Sequence, residues 1–184
     1  MARVPLLDGK DQNGRDRPDI APLVEKIRGA RRGTIINVYR LLLHAPPLAE
    51  CWLDLINAVR WKTKLSGRLR EIAILRVGYL LRVPYIINQH VPRLALPEGL
   101  TLEECAALAD WREAPFFDAR ERAMLAYVDS MTVNVHVPAA IFAPLRDHFD
   151  DRQIVELSVL IGTYNMHARV MAGLDIDPEP AAPA

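Results

Sequence analysis

The sequence is poor in cysteine, in long apolar runs and in net charge, and each shortage excludes something. Only two cysteines, Cys51 and Cys105, stand in a chain of 184 residues. Their separation matches no zinc-ligand or C-x-x-C pattern. A chain of this length buries enough surface to need no disulfide staple, so both are read as free thiols in a reducing compartment. No apolar run reaches the roughly 18–20 residues that a membrane span requires. Arg76 and Arg82 interrupt the best candidate. The opening stretch, MARVPLLDGKDQNGRD, lacks the apolar segment of a secretory signal. A cytoplasmic location with no membrane partner is expected. Basic and acidic residues number 23 each. That balance argues against a nucleic-acid partner, because phosphate binding wants a net positive face.

Strand signals are scarce as well. Apolar residues recur at helical spacing, with proline or glycine as punctuation. The expected fold class is all-α, a helical bundle. Residues 1–19 read as an extended arm, 20–174 as one helical domain and 175–184 as a flexible tail. Helices are expected near 20–29, 34–44, 47–63, 67–82, 84–96, 118–132, 138–148 and 151–173. Thr101 and Glu104 form a capping-box pattern that opens one further short helix. Val83-Pro84 ends the fourth helix, since proline lacks an amide donor and disfavours helix at the residue before it. Two segments, RLREIAILRVGYLLR and QIVELSVLIGTYNMHARVMAG, are apolar nearly all round. Such helices are buried on most sides, in a bundle centre or a subunit interface.

The chemistry-bearing stretch runs from Arg70 to His90, REIAILRVGYLLRVPYIINQH. Glu71 lies inside an apolar helix, and Tyr85, Asn88, Gln89 and His90 follow the Val83-Pro84 turn. A turn this short folds the second helix back on the first. A carboxylate beside a histidine in apolar surroundings is a candidate for general acid–base work near neutral pH. An arginine's planar fork could hold a substrate carboxylate, and Arg76, Arg82 and Arg93 are in range by sequence. Arg82 falls near the Glu71 face of a continued helix, whereas Arg76 points away from it. Tyr164, Asn165 and His167 are the polar cluster of the last helix and would close the far side of such a pocket. Each residue also has a structural reading. Glu71 would simply pair with an arginine, His90 would donate to a backbone carbonyl, and Tyr85 would be a packing aromatic. Tyr164 and His167 would line an interface. Trp52 and Trp61 read as core.

RLREIAILRVGYLLRVPYIINQHV resembles the core motif of the carboxymuconolactone decarboxylase and alkylhydroperoxidase D-like family. The flanking TIINVYRLLLHAPPLAECWLDLINAV and DDRQIVELSVLIGTYNMHARVMAGL resemble its earlier helix pair and its last helix. In the peroxidase branch the motif is a glutamate, a C-x-x-C pair and then a histidine. Glu71 and His90 fall on the glutamate and histidine positions, and Tyr85 on a proton-relay position. Val83 and Ile86 fall on the two cysteine positions, so the redox centre is absent. A thiol peroxidase needs a thiolate, which neither side chain supplies.

The resemblance implies a homo-oligomer, a trimer or hexamer. It also implies the chemistry of the decarboxylase branch of aromatic-compound catabolism, with neither metal nor organic cofactor. Its substrate would be a small organic acid or lactone. The implied catalytic residues are Glu71, His90 and Tyr85, with Arg82, Tyr164 and His167 binding substrate. The alternatives are an alkylhydroperoxidase-like enzyme, which the missing cysteines disfavour, and a non-catalytic small-molecule-binding member. A cavity open to solvent, with converging polar groups and an arginine, would favour the enzyme, and a closed, purely apolar environment around Glu71 and His90 the binding member.

Overall fold

In a computed structural model, residues 2–10, 14–31 and 33–179 are described. The order of helices is α1 (Ala21–Ala30), α2 (Asn37–Leu42), α3 (Pro46–Trp61), α4 (Gly67–Leu80), α5 (Pro84–His90), α6 (Leu102–Ala107), α7 (Ala119–Val133), α8 (Ala139–Arg146) and α9 (Asp151–Gly173). Among the described residues the only β pairing is one isolated bridge, Lys10 with Asp16. None of these helices is long and apolar enough to cross a membrane.

The packing divides the chain into two compact units, Met1–Ala58 with Met171–Ala184, and Val59–Val170. This is not the expected division into arm, domain and tail. In the first unit the arm contributes a buried Leu7, whose amide donates to the Arg40 carbonyl at 3.1 Å. The expected tail is anchored as far as it is described, with Asp177 accepting from the Ala2 amide and Glu179 from the Asn37 amide. Residues 180–184 lie outside the described residues.

The second unit is built around α4, which packs against α5 and α7. Every residue from Leu69 to Gly78 is buried. Three of them are charged, so each must find a partner or impose a heavy desolvation cost. Arg76 grips Asp129 of α7 through two nitrogens, at 2.5 and 3.0 Å, and also donates to the carbonyls of Leu108 and Ala109. Arg70 and Glu71 belong to the site described below.

The α4–α5 turn is a Schellman end. The Val83 amide reaches the Gly78 carbonyl and the Arg82 amide reaches Tyr79. Arg82 occupies the left-handed position, φ 55°, usually held by glycine. Pro84 then starts α5 in the first turn, where its missing N–H costs nothing. The expected fifth helix is α only to His90. Val91–Ala95 form a π turn, because Pro92 interrupts the normal ladder and Leu96 bonds back to Val91. The Thr101–Glu104 capping box forms as expected, and α9 spans the expected residues.

Candidate active site

Glu71 and His90 meet in the second unit. Glu71 is fully buried in α4, and His90 is the last residue of α5. His90 Nδ1 lies 2.6 Å from Glu71 Oε2. The approach depends on Gly78. A Cβ there would lie 3.0 Å from Ile86 and 3.1 Å from Ile87, so a side chain at this position would make α5 give way by a few tenths of an ångström.

The other carboxylate oxygen accepts from Arg70 Nε at 3.2 Å. Arg70 is fully used, since Nη1 donates to the Arg60 carbonyl at 2.9 Å and Nη2 to Glu98 at 2.7 Å. The Glu98 carboxylate rests over the first residue of α4, in the space that a side chain on Gly67 would fill. A negative group suits that helix end. The Trp61 ring covers both arginines, its centroid 4.4 Å from the Arg60 guanidinium carbon and 4.8 Å from that of Arg70.

On its far side His90 faces α9. Tyr164 Oη is 3.5 Å from His90 Nε2, a long contact, and the rings meet edge to face at 5.4 Å. His167 follows, its ring 5.5 Å from that of Tyr164.

Opposing influences set the charges. Burial pushes the Glu71 carboxyl up, but His90, Arg60 and Arg70 pull it down further, and it ends below the usual carboxylate range. Burial pushes the His90 imidazole down. Glu71 opposes that while Arg60 and Arg70 reinforce it, and the ring ends below the usual histidine range. At neutral pH the pair is therefore a carboxylate and a neutral imidazole. A carboxylate only accepts, so the ring proton sits on Nδ1 and Nε2 keeps its lone pair. That nitrogen is a base held in place by Glu71.

The expected residues divide clearly. Glu71, His90, Tyr164 and His167 come together. Tyr85 is buried in α5, but the tyrosine at the imidazole is Tyr164. Arg82 is corrected. It is exposed at the helix cap, and the arginine on Glu71 is Arg70. Extrapolating the helical wheel fails there because α4 ends at Leu80 and the left-handed cap redirects the next side chain. Arg76 and Arg70 are buried ion-pair residues, and Asn165 bonds to Thr132 within the second unit. Trp61 is half exposed rather than core. Arg60 and Arg70 were missed as site residues. Arg70 adjoins Glu71 in sequence, but nothing in the periodicity links Arg60 to it.

An open cleft of 370 Å³ lies along another face of α5, lined by Tyr79, Ile87, Asn88, Val91, Leu102 and Cys105 among others, and not by Glu71 or His90. The Cys105 thiol there is buried. Burial, then Glu104 and Glu71, push it above the usual thiol range. It is a poor nucleophile. Cys51 is also free. Among the described residues no three His, Cys, Asp or Glu side chains gather as a metal site.

Residues 46–130 match the model of the carboxymuconolactone decarboxylase family. The chain is 29% identical over 126 residues to the uncharacterized protein YnjA of Escherichia coli, covering 68% of this chain and 66% of YnjA, just under two thirds of its length. The crystal structure of ATU0492 from Agrobacterium tumefaciens, a protein of unknown function, matches with a TM-score of 0.72 at 26% identity, over 77% of this chain and 97% of that one. The alkylhydroperoxidase AhpD core of an uncharacterized peroxidase-related protein from Ralstonia eutropha matches with a TM-score of 0.79 at 20% identity, over 97% and 92%. That last likeness speaks to the fold alone.

Proposed function

We propose, from the premise that this chain belongs to the carboxymuconolactone decarboxylase family with an AhpD-like all-α fold, that it is a cofactor-free enzyme. Its chemistry is acid–base catalysis on a small unsaturated carboxylated substrate such as a lactone. The observation that carries this reading is the buried Glu71–His90 pair, with the Nε2 lone pair free of Glu71 and turned toward Tyr164.

In this reading His90 Nε2 moves a proton at carbon, and Glu71 holds the ring and stabilises the imidazolium that forms transiently. When CO₂ leaves an unsaturated lactone, the electron pair of the broken C–C bond enters the conjugated carbonyl as a dienolate. A proton must then return to carbon. Nε2 takes it from water, leaving hydroxide that the released CO₂ consumes as bicarbonate, and the imidazolium held by Glu71 passes it to carbon beside Tyr164. The conjugated carbonyl is the electron sink, so the chemistry calls for neither metal nor organic cofactor. Tyr85 and His167 act around this centre, shaping the pocket.

Turnover of a carboxylated muconolactone, followed by CO₂ release, tests the reading. The wild type should release CO₂, and His90→Gln should lose about 10²–10⁴-fold in rate. Thiol-dependent consumption of an alkyl hydroperoxide at a comparable rate, abolished in Cys105→Ala, would replace this reading with the peroxidase one.

The assembly belongs to the same proposal. Val155, Val159 and Met166 are exposed along one stripe of α9. Their spacing suits helix-to-helix packing between copies, as trimer or hexamer.

A further inference from the structure

Arg60 is buried, with 8% of its surface exposed, yet its Nε and Nη2 have no hydrogen-bond partner. Among the described residues no carboxylate pairs with it. Every other buried arginine of the second unit has at least one: Arg70 has Glu71 and Glu98, and Arg76 has Asp129. Leaving buried charged donors unsatisfied is costly, because the desolvation of each is not repaid. A structure retains such a cost where a ligand removes it.

The identity of the idle atoms is informative. Nε and Nη2 form the edge of the guanidinium that presents two parallel N–H bonds, the geometry that grips a carboxylate side-on. The buried charges nearby leave the same gap. Arg70 is matched by both Glu71 and Glu98, whereas Arg60 has no carboxylate of its own among the described residues. Thr63, three residues on, also has a buried hydroxyl without a partner.

Arg60 is tied to the catalytic pair. Its carbonyl accepts from the same Arg70 that bonds Glu71. Its charge acts on both Glu71 and His90. The Trp61 ring stacked on it is 52% exposed, so the fork lies one side chain beneath the surface.

We infer that Arg60 is the carboxylate anchor of this site, binding a small carboxylate through Nε and Nη2 beneath Trp61, with Thr63 as an auxiliary donor. The inference rests on the acid–base reading for its catalytic meaning but not for its binding. It confines substrates to those whose reacting carbon lies a short distance from a second, retained carboxylate.

Calorimetric titration with cis,cis-muconate, and with its neutral dimethyl ester, tests it. Wild type should bind muconate and not the diester. Arg60→Gln should weaken muconate binding at least tenfold, and Arg60→Lys, which keeps the charge but loses the fork, should fall between. The Lys variant keeps the test available if the Gln variant does not fold. Binding should also quench or shift Trp61 fluorescence, lost in Trp61→Phe without loss of fold. His90→Gln should still bind muconate. Arg60-dependent muconate binding together with no CO₂ release from a carboxylated muconolactone by wild type would sink the catalytic reading and leave the anchor standing. Equal muconate binding by wild type and Arg60→Gln, equal binding of the diester, or no muconate binding by wild type would overturn the anchor.

Discussion

His90 Nδ1 lies 2.6 Å from Glu71 Oε2, although 19 residues and a helix break separate them. The contact is built by two neighbouring features. The Schellman end at Arg82 reverses the chain, and Gly78 lets Ile86 and Ile87 press against α4. Arg70 then takes the second carboxylate oxygen, so Glu71 is held at both ends.

The pair makes stability depend on acid. Both groups titrate below their ordinary values in the folded chain, so the unfolded chain binds more protons in each window. Stability should be complete above the ordinary histidine value of about 6.5. It should fall first as pH drops below that value, and again below the ordinary glutamate value of about 4.3. Urea titrations across this range check it. His90→Gln should remove the first decline and weaken the second, because His90 is the leading group that lowers the Glu71 carboxyl.

Removing the carboxylate should be severe. Glu71→Ala leaves Arg70 with Glu98 as its remaining carboxylate and His90 Nδ1 without its acceptor. Breaking a buried pair from one side costs about 3–5 kcal/mol. Glu71→Gln, which keeps the volume and an acceptor for Nδ1, should cost less. Chemical denaturation of the two variants side by side measures the difference.

Gly78→Val should destabilise by about 1–3 kcal/mol through overpacking against Ile86 and Ile87. Because those residues share α5 with His90, the variant should also lose activity beyond its loss of stability. Thermal melts and turnover on the same sample separate the two effects.

Arg82→Gly should do the opposite. It relieves a left-handed residue of its Cβ and should stabilise the chain by about 1 kcal/mol. Turnover should stay unchanged, since Arg82 is exposed at the cap. A large rise in KM would return Arg82 to the substrate site.

Much of this was legible from the residues. The 3.6-residue periodicity and the Val83-Pro84 break located nearly every helix, and the same break foretold that α5 folds back on α4. Glu71 and His90 were legible because a carboxylate in an apolar helix stands out. Arg82 was misplaced because the wheel assumes a helix that continues, and backbone geometry at one capping residue overrules it. Arg60 was missed because its role is tertiary. It lies at the end of α3 in a segment, RWKTKLSGRLR, where any of several cations looks solvated. Trp61 was read as core by residue type, but it stacks on two cations and keeps half its surface in water.

The most direct measurement is the rate of CO₂ release from a carboxylated muconolactone as a function of pH, for wild type and His90→Gln. The account predicts a wild-type rate that persists below pH about 6.5, as a depressed imidazole requires. It also predicts a variant slower by at least about 10² at every pH. Equal rates in wild type and variant would contradict it, because the reaction would then proceed without the base that Glu71 holds.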